Sequence, residues 1–129
     1  MTRKRNDKHS TEFGLWLREQ ECIDSGKGYI ATNLDYVSSN YRTGEWLLLE
    51  EKRYNKNMTR AQTDQFKILH DAAKSDSNYK GFHLIVFEKT SPADGGIKIN
   101  NESVTVIELL NFLMFNDYRE HYFDQKIPQ

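Results

Sequence analysis

The sequence contains a single cysteine, Cys22, among its 129 residues. One cysteine cannot form a disulfide within the chain, and it cannot supply the several thiolates of a Cys-rich zinc site. The sequence therefore excludes a disulfide-stabilised scaffold and is typical of a reducing compartment such as the cytoplasm. Internal repeats, low-complexity tracts and linkers are also missing, which favours a single domain over residues 1–129.

Long apolar runs are absent as well. No stretch approaches the roughly 18–20 apolar residues that a membrane-spanning helix needs. The segment Met1-Thr2-Arg3-Lys4-Arg5 is basic, but no apolar stretch follows it, so it does not resemble a secretory signal. We expect a cytoplasmic protein with no membrane partner and a solvated basic tail over residues 1–9. A second interpretation of this tail is an arm that grips a nucleic-acid backbone.

A large excess of one charge is missing too. The formal net charge is −1 at pH 7, which does not indicate a binder of polyanions. Basic residues are nevertheless concentrated in one stretch that contains Lys52, Arg53, Lys56, Arg60 and Lys67. Such a run is usually a solvated face. If the protein binds nucleic acid, Lys56, Arg60 and Lys67 are the candidates for contacts with phosphates.

Hydrophobic periodicity and turn residues predict an α/β (α+β) fold with a central mixed sheet between helices. A first helix is expected to begin at a cap residue, Ser10 or Thr11, and to end at Gly26 and Gly28. The predicted elements that follow are strands over 30–39 and 45–54, a helix over 60–75, a strand over 81–88, and a short strand over 97–100.

The C-terminal third carries its own signals. The strand over 81–88 is apolar enough to be covered on both faces. Thr105-Val106-Ile107-Glu108 is a capping box that predicts a last helix through about Phe115. The aromatic residues after that helix are expected to pack back on the domain, namely Tyr118, Tyr122 and Phe123.

The first two strands predict a pair of opposed carboxylates. A hairpin with a four-residue loop and Gly44 in the left-handed position pairs Asn40 with Glu45. Counting outward from that pair places Asp35 opposite Glu50, with Cβ atoms roughly 5 Å apart on the same face of the sheet. Two carboxylates at that distance repel each other, and a hard divalent cation with oxygen ligands relieves the repulsion. A register slip of one residue would instead point Asp35 away from Glu50.

Lys52 lies two residues beyond Glu50 and therefore shares its face. Glu51 points to the other face, but its backbone carbonyl is a further possible oxygen ligand. Two acidic ligands beside an ammonium are suited to phosphodiester hydrolysis, in which the lysine positions the nucleophile or stabilises the charge of the transition state. The competing interpretation is an ordinary charged strand end.

The helix over 60–75 places an amide near this group. Gln62, Phe66, Leu69 and Ala73 recur at spacings that share one face, so Gln62 is expected on the side that packs on the sheet. A buried amide needs partners. Those partners are either a loop or the site itself, through Lys52, a metal-bound water or the substrate backbone.

These residues resemble the motifs of the PD-(D/E)xK nuclease superfamily, which includes restriction-endonuclease-like folds, Holliday-junction resolvases and phage-type exonucleases. The likeness consists of Asp35, of Glu50-Glu51-Lys52 as the E-x-K, and of Gln62-x-x-x-Phe66 as a counterpart of the Q-x-x-x-Y helix motif. It covers roughly residues 11–88. It implies a restriction-endonuclease-like core in the order helix, strands, helix, strand, followed by a C-terminal strand and helix.

The resemblance also implies roles. Asp35 and Glu50 would be metal ligands, with the Glu51 carbonyl as a possible third, and Lys52 would be the catalytic lysine. Gln62 would contact a water or the substrate backbone. Glu12, on the first helix, resembles the accessory acid that some members place near the metal.

The function expected from these residues is a deoxyribonuclease dependent on Mg²⁺ or Mn²⁺. We expect an endonuclease of phage-like or mobile-element-like type that acts on DNA in the host cytoplasm, as a homodimer or with a partner protein. A second hypothesis is a nuclease fold with weak catalysis that serves as a nucleic-acid-binding or protein-interaction module. A third is a metal-free globular domain.

The histidines are further candidates for chemistry. His83 lies in the strand over 81–88, where it would approach the phosphate, and His70 lies in the preceding helix. A histidine without an acidic partner nearby in the sequence is more often structural, and we favour that interpretation for both. His9 and His121 are expected at the surface, near the ends of the chain.

Overall fold

The computed structural model describes residues 12–124. The chain divides into two compact units, Met1–Thr32 and Asn33–Gln129. In the first unit, α1 spans Glu12–Arg18 and is followed by two 3-10 turns, Glu21–Ile23 and Ser25–Lys27. All five strands belong to the second unit, which carries the predicted site except for Glu12.

The second unit is built on one mixed sheet with the strand order β1-β2-β3-β4-β5. Only β2 and β3 pair in parallel, and the other neighbouring pairs are antiparallel. Helix α2 connects the two parallel strands, as the geometry of a parallel pair requires. The elements in chain order are β1 (Tyr36–Ser39), β2 (Trp46–Lys52), α2 (Arg60–Ala73), β3 (Tyr79–Phe87), β4 (Ile97–Ile99), β5 (Glu102–Val104) and α3 (Val106–Leu113). The predicted α+β class with a central mixed sheet is thereby confirmed.

Both faces of the sheet are covered. Successive residues of a strand point to opposite faces, and Leu47 and Leu49 of β2 accordingly pack in a cluster with Leu109 and Phe112 of α3. Leu48 packs on the other face in a second cluster with Phe66 of α2 and with Tyr79 and Phe82 of β3. The residues of β3 from Gly81 to Phe87 are all buried, which confirms the prediction for that strand.

The hairpin between β1 and β2 has the predicted register. Asn40 donates its amide to the Glu45 carbonyl at 2.9 Å, and Gly44 has a φ of +81°. Val37 pairs with Leu48, and Ser39 pairs with Trp46. A left-handed residue at this point closes a hairpin loop with little strain when it is glycine.

Capping boxes fix the beginnings of both helices that flank the sheet. The Thr105 hydroxyl accepts the Glu108 amide while the Glu108 carboxylate accepts the Thr105 amide, as predicted for α3. The same exchange between Thr59 and Gln62 opens α2. Each box satisfies two backbone donors that the first turn of a helix leaves free.

Several predicted bounds were wrong. The first helix ends at Arg18, because Gln20 adopts an extended conformation, and the predicted caps Ser10 and Thr11 lie outside the described residues. Strand β1 begins at Tyr36 and not at residue 30. Its partner β2 stops at Lys52, and the left-handed φ values of Tyr54 and Asn55, 55° and 56°, do not continue a strand.

The predictions for Leu69 and for the aromatic residues after α3 are wrong in part. Leu69 is 41% exposed, and the buried face of α2 carries Phe66 and His70 instead. Tyr118 is 79% exposed and does not pack on the domain, whereas Tyr122 and Phe123 do pack against the second cluster.

Among residues 12–124, no helix is both long enough and apolar enough to cross a membrane.

Candidate functional site

Glu50 and Lys52 lie at the C-terminal end of β2, on the face that α2 covers. Leu48 on the same face packs against Phe66 of α2, and the strand period of two carries Glu50 and Lys52 to that side. Glu51 points to the opposite face, where its carboxylate lies 3.4 Å from the Arg53 guanidinium. The prediction that Glu50 and Lys52 share one face of the sheet, and that the Glu51 side chain points to the other, is confirmed.

Asp35 and Glu50 are neighbours across the two strands. The ladder ends at Tyr36 opposite Leu49, so the next residue outward, Asp35, lies beside Glu50. The Asp35 amide donates to Oε1 of Glu50 at 3.3 Å, and the Glu51 amide donates to Oδ2 of Asp35 at 2.9 Å. Each carboxylate thus accepts a hydrogen bond from the backbone of the facing strand, which holds both in place.

The Glu50 carboxyl is almost fully buried, with 3% of the residue exposed. Its pKa is raised to about 7, first because the group is buried and then because the Asp35 carboxylate lies beside it. Lys52 acts in the opposite direction but less strongly. A buried acid next to a second acid favours its neutral form unless a cation compensates the charge. A cation bound beside the two acids would therefore favour the ionised form of Glu50.

Lys52 is held against this pair of acids. Its Nζ lies 3.6 Å from Oε2 of Glu50 and donates a hydrogen bond of 2.8 Å to Oε1 of Gln62. The side chain is 19% exposed, so the ammonium is reachable from solvent but is positioned by two partners. A lysine restrained in this way has lost much of the conformational freedom of a surface lysine.

Gln62 joins the helix to the site. Its Nε2 lies 3.4 Å from Oε2 of Glu50, and its Oε1 accepts the Thr59 amide at 3.0 Å in addition to the Lys52 ammonium. Both predicted kinds of partner are present, because Thr59 belongs to the loop before α2 and Lys52 belongs to the site. The capping box of α2 therefore fixes the amide that orients Lys52.

Two predicted site members stay untested. The backbone of Glu51 lies within β2 beside Asp35, but the role of its carbonyl as a metal ligand remains a prediction. Glu12 is the first residue of α1 and belongs to the N-terminal unit. Its role as an accessory acid also remains a prediction.

The candidate phosphate contacts differ in how far their charges are already balanced. Lys67 forms an ion pair of 2.9 Å with Asp71, and Arg60 lies 4.0 Å from Asp64, both one turn along α2. Within residues 12–124, Lys56 makes no ion pair, and its side chain is exposed. Lys56 is consequently the strongest of the three candidates on electrostatic grounds.

His83 has a structural role, as the favoured interpretation predicted. It is 1% exposed, its Nε2 donates to the Lys80 carbonyl at 2.8 Å, and its Nδ1 accepts the Asn100 amide at 2.9 Å. Asn100 also accepts the Leu84 amide and donates to the Glu120 carbonyl, which fixes the orientation of its own amide. Burial, above all, lowers the pKa of His83 to about 4.

The sequence interpretation missed a second group of ligand-type side chains. His70, His121 and Asp124 each place one ligand atom within 4.8 Å of the others. His121 is half-buried and not a surface residue, and His70 does have an acidic neighbour, Asp124, far away in the sequence. The only local signal was the spacing of His121 and Asp124, three residues apart, which is too common to indicate a site by itself.

No protein-family model, curated protein or solved structure matches this chain. The likeness to the PD-(D/E)xK superfamily therefore depends on the residues and distances given above.

Proposed function

We propose that this protein is a nuclease that hydrolyses DNA phosphodiester bonds with Mg²⁺ or Mn²⁺ bound by Asp35 and Glu50. The observation that carries the proposal is a pair of opposed carboxylates, held by hydrogen bonds from the backbone amides of Asp35 and Glu51, with the Lys52 ammonium 3.6 Å from Oε2 of Glu50. A restriction-endonuclease-like core is part of the same proposal, and the mixed sheet with α2 joining its two parallel strands is compatible with it.

The donor set fits a hard divalent cation. Such cations prefer carboxylate, carbonyl and water oxygens, and the site offers two carboxylates and the nearby Glu51 carbonyl. Burial and then the Asp35 carboxylate raise the pKa of Glu50, and a cation beside both acids would lower it again, because a positive charge favours their ionised forms. When bound, the cation neutralises the phosphate and makes a hydroxide available near neutral pH.

The residues of the chain then have separate tasks in hydrolysis. Asp35 and Glu50 hold the cation and so fix the position of the scissile phosphate. Lys52 donates hydrogen bonds to a phosphate oxygen or to the attacking water, and it stabilises the negative charge that grows in the transition state. Gln62 keeps the ammonium at that position. The attacking water gives up a proton to solvent as its oxygen forms a bond to phosphorus, the bond to the leaving sugar oxygen breaks, and that oxygen takes up a proton from solvent.

The test is cleavage of plasmid and single-stranded DNA by the full chain with Mg²⁺ or Mn²⁺. We expect the wild type to cleave, and we expect Glu50→Gln and Lys52→Ala to be strongly impaired. Matched controls are Glu102→Gln on β5, at the other edge of the sheet, and Lys80→Ala on β3, at the opposite end of the parallel strand pair from Lys52, and both should cleave normally.

Two outcomes separate the alternatives. If the protein binds DNA but cleaves it under none of these conditions, the proposed nuclease activity is rejected. That result would favour a nucleic-acid-binding or protein-interaction module. Neither binding nor cleavage, together with no effect of Mg²⁺ or Mn²⁺ on thermal stability, would favour a metal-free domain, since a cation that binds the folded state must stabilise it.

A further inference from the structure

We propose that His70, His121 and Asp124 form a second metal site, for a borderline transition ion such as Zn²⁺, that fastens the C-terminal segment to α2. His70 lies in the last turn of α2, His121 directly precedes the 3-10 turn Tyr122–Asp124, and Asp124 is the last residue of that turn. The site is distinct from the acids of β2. Gln62 and His70 are separated along α2 by about 12 Å, at about 1.5 Å per residue.

The ligand atoms are already close to a coordinating arrangement. Nε2 of His70 lies 3.8 Å from Oδ1 of Asp124, and Nδ1 of His121 lies 3.5 Å from Oδ2 of the same residue. Four ligands at about 2.0–2.1 Å around Zn²⁺ lie about 3.3–3.4 Å from one another. Small movements of these side chains would therefore complete three corners of a tetrahedron.

Two of the ligand atoms have no other partner. Nε2 of His70 and Nδ1 of His121 are buried and make no hydrogen bond within the described residues, and His70 is 0% exposed. Buried polar atoms in folded proteins are nearly always paired, so two unpaired nitrogens that face one carboxylate call for an explanation. A metal ion between them supplies it.

Neighbouring groups hold both imidazole rings in place. Nδ1 of His70 lies 2.7 Å from the Tyr79 hydroxyl oxygen. When Nδ1–H donates to that oxygen, the lone pair of Nε2 is free for a metal, an arrangement typical of metal-binding histidines. The ring of His121 lies against the backbone of Gly81, where a Cβ would come within 2.6 Å of Cγ of the ring.

The chemistry of the three ligands selects the class of ion. Two imidazoles and one carboxylate suit Zn²⁺ and related ions, whereas Mg²⁺ prefers oxygen ligands alone. Asp124 is 42% exposed, which leaves room for a water as the fourth ligand.

Two neighbouring ammonium groups oppose a cation: that of Lys74, which acts on both histidines, and that of Lys80, which acts on His121. Nζ of Lys74 lies 3.4 Å from Oδ1 of Asp124 and 3.6 Å from Oδ1 of Asp71. The side chain is largely exposed and can turn away towards solvent and Asp71. Removal of this ammonium should leave Zn²⁺ binding intact or make it tighter, because a like charge has been removed.

The test is calorimetric titration of the chelator-treated full chain with ZnCl₂, together with thermal unfolding. With MgCl₂ present in excess to occupy the acids of β2, we expect saturable binding of one Zn²⁺ per chain and a higher Tm. Asp124→Asn and His121→Gln replace partly exposed side chains, so we expect both variants to fold. Each should weaken Zn²⁺ binding by at least about tenfold. The excess of MgCl₂ should not compete at this site.

Control variants locate the ion. Lys74→Ala should bind at least as tightly as the wild type. Cys22→Ser tests the exposed thiol, and Glu50→Gln tests the acids of β2, and both should keep wild-type affinity for Zn²⁺. Absence of saturable binding by the wild type would overturn the proposal, as would wild-type affinity in Asp124→Asn and His121→Gln, or loss of binding in Cys22→Ser or Glu50→Gln. None of these results depends on nuclease activity.

Discussion

The backbone amide of Asp35 donates a hydrogen bond of 3.3 Å to Oε1 of Glu50, across the first two strands of the sheet. The bond lies where the β1–β2 ladder has just ended, so it takes the place of the next backbone pair. It fixes the register at the point where a slip of one residue would turn Asp35 to the other face. The relative position of the two acids thus depends on the backbone as much as on their side chains.

The first prediction compares Glu50→Gln with Lys52→Ala. Loss of Glu50 should weaken Mg²⁺ binding and abolish cleavage together, since the cation provides both the nucleophile and charge neutralisation. Loss of Lys52 should leave Mg²⁺ binding unchanged or stronger, while cleavage falls about 10²–10³-fold, as is typical of losing one preorganised electrostatic group. Magnesium titration by calorimetry and single-turnover cleavage rates measure the two effects.

Wild-type cleavage by Lys52→Ala would reduce Glu50-Glu51-Lys52 to an ordinary charged strand end. Equal loss of Mg²⁺ binding in both variants would instead mean that Lys52 acts by holding the site together and not on the transition state.

The second prediction concerns Gln62, which joins the capping box to the site. Gln62→Ala removes the return bond to Thr59 and the partner of Lys52, so the free energy of unfolding should fall by about 1–2 kcal/mol. Thr59→Ala is the matched control, because it removes a cap bond of similar strength but leaves Lys52 and its partner in place. Urea unfolding should show similar losses for the two, whereas cleavage should fall only for Gln62→Ala.

The third prediction concerns acid stability and His83. The folded pKa of about 4 lies below the ordinary value of 6.5, so only the unfolded chain takes up this proton between those pH values. The contribution of His83 to stability is complete above about pH 6.5 and is lost as the pH falls towards 4, by about 3 kcal/mol at about 1.4 kcal/mol per pKa unit. Three neighbouring groups that carry or can take up a positive charge also lower the pKa of His83, namely His121, His70 and Arg119.

Urea unfolding of the wild type and of His83→Gln between pH 7 and 4 measures this loss. The variant is expected to be less stable at pH 7 but to lose less stability on acidification. His70 and His121 add to the acid sensitivity of both proteins, because burial lowers their pKa values too. Parallel stability curves for the two proteins would contradict the assignment.

The fourth prediction concerns DNA binding. If phosphate contacts drive it, affinity should fall steeply as salt rises, because binding releases counterions. Lys56→Ala should make the slope of log affinity against log salt less steep by about one unit, the value expected for the loss of one phosphate contact. Lys67→Ala should reduce it less, since its ammonium is already paired with Asp71 at 2.9 Å. Fluorescence anisotropy from 50 to about 200 mM salt tests the order, and an affinity independent of salt would reject the basic stretch as the interface.

The parts of the fold that were predicted correctly depend on short-range signals. Gly44 in its loop and the spacing from Asn40 to Glu45 were enough to fix the β1–β2 register, and with it the neighbours Asp35 and Glu50. The capping box at Thr105 likewise gave the beginning of α3 to the residue. Such signals involve neighbours within a few positions, and those relations survive folding unchanged.

The failures depend on distant partners. Strand β1 begins only at Tyr36 although β2 continues to Lys52, because hydrogen bonds that involve the carboxylates of Asp35 and Glu50 replace the next backbone pair. Leu69 is exposed because α2 packs through Phe66 and His70. The approach of His121 and Asp124 to His70 is a contact across about fifty residues, and no local periodicity encodes it. Strand lengths and clusters of distant side chains therefore became visible only in three dimensions.

Asn100 is a single side chain that ties three segments of the backbone. It accepts the Leu84 amide of β3, contacts the His83 ring, and donates to the Glu120 carbonyl ahead of the final 3-10 turn. The backbone N–H of Asn100 donates to the Leu84 carbonyl at 2.8 Å. Release of the C-terminal segment would leave one of the two N–H groups on Nδ2 of Asn100 without its Glu120 partner, while the other stays bonded to His83. Opening of that segment and loosening of the central strand are thus one cooperative event, so the amide protons of Leu84 and Asn100 should exchange with solvent at a common slow rate.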